Sequence, residues 1–279
     1  MIKKFHFIFF FPDEKDVNLM NTMTVSLSSK KKIKGRHFTK NLFSNMHYIS
    51  VMSAIQTHPD FEFFFYSNIE PAGEYWEKLE GKVKWVHTER IKEINGKEIK
   101  SPAHSSDILR LQLLNKEGGI YSDMDVLWFK NVEELFTEKC VYMPYERKNS
   151  LSNAIIYNGE IDSSFIRDWL ENYEKNYDDE HYITSSIVTC TRMMMSGNYK
   201  IKTIHKDAFF HRATAFEIIQ DIFVKDAEYS IKPAQYGLHI SDSFFRHRWD
   251  SLDKNHGLTK LCRNVLENNC KILKSHKLF

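Results

Sequence analysis

Seven consecutive residues near the start, Phe5-His6-Phe7-Ile8-Phe9-Phe10-Phe11, are aromatic or branched aliphatic apart from one histidine. A strand with one wet face cannot carry such a run, because alternate side chains would stand in water. A strand covered on both faces can, and that is the situation of a parallel sheet flanked by helices. The run predicts a buried central strand and, with it, an α/β fold. A chain of 279 residues with 42% hydrophobic content can bury the core that such a fold requires.

The rest of the chain supports this reading. Thr39 to Thr57 places Leu42, Phe43, Met46, Ile49, Met52 and Ile55 at helical spacing, with Pro59 after the stop. Phe61 to Tyr66 and Val83 to His87 read as the second and third strands, separated by a short helix from Tyr75 to Leu79. A well-punctuated helix follows: Ser101 can cap it, Pro102 suits its first turn, and Gly118-Gly119 stands where a left-handed C-terminal cap is needed. Ile120 to Phe129 then reads as one strand. Beyond it the pattern turns helical, at Ser163 to Tyr173 and Ser185 to Met195, before a last strand from Tyr236 to Ile240. No repeat or Pro/Gly/Ser-rich linker divides the chain, so one domain over residues 1–279 is expected.

Charge excludes some functions. Lys and Arg total 39 against 37 for Asp and Glu, so no global field favours nucleic acid. The basic run Lys30 to Arg36 is read as a solvated loop. The cysteines (Cys140, Cys190, Cys262, Cys270) form no zinc-finger spacing and read as free thiols of a reducing compartment. Met1-Ile2-Lys3-Lys4 before the apolar run mimics a signal peptide, but the run ends in Pro12-Asp13-Glu14 without a small-residue cleavage site. No stretch reaches the ~20 apolar residues of a membrane span. The expectation is a soluble, cytoplasmic chain, with an anchor outside this sequence left open.

The chemistry concentrates at the corner after Gly118-Gly119. In Tyr121-Ser122-Asp123-Met124-Asp125 a continuous strand would place both carboxylates on one side, about 6–7 Å apart. Their repulsion is relieved by a divalent cation, a polar ligand or water, and hard oxygen ligands suit Mn²⁺ or Mg²⁺. An isolated pair of this kind is more often a solvated strand end. Here Asp107 and Arg110 stand three residues apart on the preceding helix, just upstream of the same corner.

Together, Ser106-Asp107-Ile108-Leu109-Arg110 and Gly118 to Asp125 resemble the signature of the DXD-containing sugar transferases, which include initiating mannosyltransferases, α-1,4-galactosyltransferases and clostridial glucosylating toxins. Phe5 to Phe9 resembles the family's first strand, and Phe65-Tyr66-Ser67-Asn68 the end of its second, so the likeness covers roughly the first 135 residues. The resemblance implies a GT-A-like nucleotide-sugar transferase fold, with a mostly parallel central sheet flanked by helices. It divides the domain into a nucleotide-sugar-binding half, 1–135, and an acceptor-side half, 136–279.

By residue-by-residue comparison, Phe9 stacks on the nucleobase where the toxins have a tryptophan. Asp107 and Arg110 grip the donor sugar, Tyr121 and Asp123 border the donor, and Asp125 holds the metal that bridges the diphosphate. His239 is the carried-over late histidine, able to complete a metal set with Asp123 and Asp125, although the Ser-Trp pair that follows it in the family is displaced here to Ser243 and Trp249. Asn153 falls in a region that faces the donor–acceptor junction in related folds. The implied activity is metal-dependent transfer of a sugar, from a UDP-sugar donor, to a glycan or other hydroxyl acceptor with retained anomeric configuration. Two rivals stay open: a phosphatase of the haloacid dehalogenase type, whose D-x-D-x-[TV] strand the segment also fits, and a nucleotide-sugar or glycan binding module without turnover.

Overall fold

The computed structural model describes residues 1–11, 43–178, 183–209, 231–240 and 260–267. The basic run Lys30 to Arg36, Cys270, Ser243 and Trp249 lie outside them.

In chain order, β1 (Lys4–Ile8), α1 (Asn45–Thr57), β2 (Glu62–Ser67), the single turn α2 (Glu74–Glu77) and β3 (Lys84–His87) come first. The hairpin β4 (Glu93–Ile94) and β5 (Lys97–Glu98) leads into α3 (Pro102–Glu117), β6 (Gly119–Ser122) and β7 (Val126–Trp128). Then follow β8 (Val141–Arg147), β9 (Ser150–Leu151), β10 (Ile155–Asn158), α4 (Ser164–Asn176), a π-helical turn (Thr184–Val188), α5 (Thr189–Met195), β11 (Ile201–Ile204), β12 (Gly237–His239) and a helix over 260–267.

The main sheet runs β11-β8-β10-β6-β1-β2-β3, with β9 on β8. Its pairings are mixed: β1 with β2, β1 with β6, β2 with β3 and β8 with β11 are parallel, whereas β10 is antiparallel to both β6 and β8. As the aromatic run predicts, β1 lies inside the sheet, with Phe5 and Phe7 fully buried. One face is covered by α1 over Phe5, Phe7, Phe65 and Trp128, and the other by α3 and α4 over Ile8, Leu111, Tyr121 and Trp169. No helix among the described residues is long and apolar enough to cross a membrane. Cys140, Cys190 and Cys262 are buried free thiols.

Two expectations fail. Residues 120–129 are not one strand: β6 ends at Ser122, the chain turns through Met124 and Asp125, and β7 leaves the main sheet to pair with β12. Buried serines of α1 complete the edge of β7, for Ser50 Oγ donates to the Val126 carbonyl (2.9 Å) and Ser53 Oγ accepts from the Trp128 N–H (3.0 Å). Without them these backbone groups would be buried and unpaired, at a cost comparable to a lost hydrogen bond. The second half is also not mainly helical, because β8, β9, β10 and β11 extend the main sheet.

His58, just past α1, ties that helix to the segment after β7. Its Nδ1 faces the Ala54 carbonyl (3.1 Å), and its Nε2 accepts from the Val132 N–H (3.2 Å), an arrangement that needs the neutral ring. Burial, opposed by the Ala54 bond, lowers its pKa from 6.5 to about 4. Between those values the unfolded chain binds the extra proton, so stability is fully present above about pH 6.5 and is lost as pH falls towards 4, by about 3 kcal/mol. Urea unfolding at pH 7.5 and 4.5 should show a pH-dependent loss that is smaller by about 2 kcal/mol in His58→Gln than in the wild type. An equal loss in both proteins would remove His58 as the cause.

Candidate functional site

The turn between β6 and β7 gathers residues that are far apart in sequence. The N–H of Asp123 is held by the Ala154 carbonyl (2.8 Å), which prolongs the β6–β10 ladder by one bond before the chain turns. β12 then lies antiparallel to β7 with His239 opposite Val126, and the Ile240 N–H reaches the Asp125 carbonyl (2.9 Å). His239 Nε2 thereby stands 3.2 Å from Asp125 Oδ1 and 3.9 Å from Asp123 Oδ2. One ligand atom from each of the three residues lies within 4.8 Å of the others. The carboxylates converge through a turn rather than through strand periodicity.

The three side chains remain 28%, 16% and 15% exposed for Asp123, Asp125 and His239, enough to reach a ligand. Burial works against the His239 imidazolium, but Asp125 and Asp123 outweigh it and raise the ring to about 9. Burial also raises Asp123, helped by the Asp125 charge and opposed by Arg110 and His239. The ring thus carries the positive charge that the acids demand. Once the ring gives up its proton, two carboxylates and an imidazole are a donor set that suits a divalent cation.

Behind the acids, the helix-to-strand corner is built as its punctuation predicts. Ser101 Oγ caps α3 through the Ala103 N–H (3.2 Å), and Gly118 and Gly119 take φ of 64° and 92°. A Cβ on Gly119 would stand 2.7 Å from the Lys4 carbonyl, so only glycine lets β6 start against β1 here. α3 delivers Asp107 and Arg110 to the interior, with side chains 4% and 6% exposed. Arg110 Nη2 lies 2.9 Å from Asp107 Oδ1 and 3.5 Å from Asp123 Oδ1, its guanidinium 4.1 Å above the Tyr121 ring. The Tyr121 hydroxyl donates to Asp123 Oδ1 (2.5 Å). Asn153 joins the same group, its Nδ2 donating to Asp107 Oδ1 (2.9 Å) and its carbonyl accepting from Arg110 Nη1 (2.7 Å).

The resemblance implies that Asp107, Arg110 and Tyr121 touch the donor directly. In this structure Asp107 and Arg110 face each other and Asp123, and Tyr121 is 1% exposed with its hydroxyl on Asp123. Phe9 leaves β1 at the edge where β6 runs out towards Asp123, because the two strands are parallel with His6 opposite Tyr121. Its ring is partly buried, 4.4 Å from the His47 ring and 4.9 Å from the Phe11 ring. Sequence reasoning missed His47 and Tyr173, whose hydroxyl donates to Asp107 Oδ2 (2.9 Å). Tyr173 follows Phe165, Ile166 and Trp169 at helical spacing and looks like another core residue, so only its hydroxyl could have signalled a polar partner.

Removing Arg110 leaves enclosed carboxylates uncompensated. Arg110→Met should lower unfolding free energy by about 3–5 kcal/mol, and Arg110→Lys should restore only part, because one ammonium cannot span Asp107 and Asp123 as a planar fork does. Adding Asp107→Asn to Arg110→Met should recover stability. Denaturant unfolding of these proteins and of Asp107→Asn alone checks this, and strictly additive losses would show that the groups do not interact.

Residues 15–142 match the glycosyltransferase sugar-binding region containing the DXD motif, and residues 85–271 match the capsular polysaccharide synthesis protein family. The glucan organizing enzyme 1 of Cryptococcus neoformans var. grubii is 26% identical over 232 residues, which are 80% of this chain and 60% of that protein's length. The apo form of the glycosyltransferase GlyE from Streptococcus pneumoniae TIGR4 is 11% identical and matches with a TM-score of 0.50, covering 98% of this chain and 62% of that one. The galactosyltransferase LgtC, solved with donor and acceptor sugar analogues, is 11% identical over 94% of this chain and 95% of its own, with a TM-score of 0.46. The likeness to GlyE is one of fold, the GT-A type. With the second family match spanning more than half of its residues, and the first covering the corner that holds Asp107, Arg110, Asp123 and Asp125, the chain belongs to the capsular polysaccharide synthesis protein family and carries the DXD-containing sugar-transferase region.

Proposed function

We propose that this protein transfers a sugar from a nucleotide-sugar donor, a UDP-sugar, to a hydroxyl of a glycan or other acceptor, with Mn²⁺ or Mg²⁺ held by Asp123, Asp125 and His239. The observation that carries the reading is the convergence of those three side chains, with ligand atoms within 4.8 Å of one another. A rival phosphatase fits less well, because its acids follow the first strand of the catalytic domain, whereas these follow β6 and are joined by a histidine from the last described strand. A binding module without turnover would share the geometry and differ in releasing no nucleoside diphosphate.

In this reading the bond between the anomeric carbon and the phosphate oxygen breaks as the bond to the acceptor oxygen forms. The acceptor's proton passes to the leaving phosphate, and attack on the same face retains the configuration. The cation, when bound, supplies positive charge against the diphosphate as its negative charge grows. Asp125 and His239 present the open ligand atoms. Asp123 is held in place by Tyr121 and Arg110, and Asp107 with Asn153 fixes the guanidinium, so these four form a floor beneath the donor sugar. Phe9 offers the nucleobase an aromatic face, with His47 behind it.

Asp125→Asn should lower turnover roughly 10²-fold and flatten its Mn²⁺ dependence, because a neutral amide is a weak ligand for a hard cation. Phe9→Ala should chiefly raise the donor KM, because stacking is present in ground and transition states alike. Steady-state donor hydrolysis across a Mn²⁺ titration, with circular dichroism as folding control, reads both effects. Folded Asp125→Asn with wild-type turnover would sink the metal site, and a product with the opposite anomeric configuration by NMR would sink the retaining mechanism.

A further inference from the structure

A polar chain runs from the acceptor-side half into the acid cluster, and Tyr173 is its middle member. The side chain is fully buried on α4, and its hydroxyl donates to Asp107 Oδ2 (2.9 Å). The buried Ser186 side chain interacts with the same hydroxyl. Ser186 belongs to the π-helical turn, where the Val188 N–H reaches back five residues to the Ile183 carbonyl (3.0 Å). The wider turn brings two consecutive serines inward, Ser185 and Ser186, each 1% exposed. Ser185 is secured by its carbonyl, which accepts from Trp169 Nε1 (3.0 Å).

The distribution of donors on Asp107 gives Tyr173 a role beyond filling space. Oδ1 receives both Asn153 Nδ2 and Arg110 Nη2, at 2.9 Å each. Oδ2 takes the Tyr173 hydroxyl. Two donors on one oxygen leave the carboxylate free to swing about its bond to the chain, and the Tyr173 hydroxyl on the other oxygen, where His104 Nδ1 stands further off at 3.9 Å, opposes that rotation. Arg110 is aimed by the Asp107 oxygen that it meets, and its Nη2 also faces Asp123. Burial raises the Tyr173 hydroxyl well above its usual range, so it remains a donor.

We propose that Tyr173 is a positioning residue that connects the π-helical turn to the acid site by locking Asp107 so that Arg110 holds Asp123 in place. This rests on the transferase reading above. Residues that act through a ligand's own partners typically change metal affinity or activity by 10-fold to 100-fold, and Tyr173 acts from one step further back.

The test uses the full chain with Tyr173→Phe and Ser186→Ala. Free Mn²⁺ is titrated by electron paramagnetic resonance with and without UDP, alongside kcat and KM for donor hydrolysis and the melting temperature. Tyr173→Phe should weaken Mn²⁺ binding and lower kcat by roughly tenfold each, and Ser186→Ala should act in the same direction by roughly threefold. Variants that melt earlier yet keep wild-type Mn²⁺ affinity and kcat would reduce Tyr173 to a packing residue and overturn the proposal. If Tyr173→Phe does not fold, Ser186→Ala decides by the same criterion. If the wild type turns over no donor, the transferase reading fails while the Mn²⁺ titrations still decide on the positioning role. A wild type that binds no Mn²⁺ with or without UDP overturns both.

Discussion

The constraint on which this architecture turns is negative charge gathered at one corner. Among the described residues, Asp107 and Asp123 meet the guanidinium of Arg110, Asp123 and Asp125 face the imidazole of His239, and His104 stands 3.9 Å from Asp107. Arg110 and a protonated His239 offset two of the three negative charges. A divalent cation that displaced the ring proton would balance the group, since three negative charges would then meet Arg110 and the ion. The corner thus offers a divalent cation a place where its charge would be met, as metal sites do.

Much of the fold holds that corner still. Gly119 lets β6 begin against β1, and Ser50 and Ser53 of α1 fasten β7 where no further strand among the described residues flanks it. β12 closes the other edge of β7 and brings His239 to the acids. Over β7 and β12 lies a small apolar cluster of Met46, Ile49, Leu127, Phe129, Leu238 and Ile240, joined by Leu261 and Val265 of the helix over 260–267. The strand that carries the histidine is thus anchored by packing as well as by its ladder.

Sequence made the first half of the chain legible because its signals are local and strong. The Phe5 to Phe11 run, the Ser101-Pro102 start and the Gly118-Gly119 stop each have one cheap structural solution, and the structure adopts them. The strand break at Asp123 to Asp125 was not legible, because Ile120 to Phe129 is uniformly compatible with extended backbone and only tertiary pairing to β12 and α1 divides it. Strands β8, β9 and β10 escaped for a related reason. β9 and β10 are short, and all three are stabilised by neighbours rather than by period-two patterning of their own. In the site, Asp123, Asp125, His239, Asp107, Arg110 and Asn153 all fall in one connected group. Their order within it was hidden, because helix spacing gives the face of Arg110 but not whether that face opens to a ligand or closes on Asp123.

The most direct measurement is anomalous diffraction at the manganese edge from crystals grown with Mn²⁺ and UDP. The account predicts one anomalous peak within bonding distance of Asp125 Oδ1 and His239 Nε2, beside the Asp123 carboxylate, with the diphosphate on its far side. Bound UDP with no peak among these residues, or with the metal held elsewhere, would contradict it.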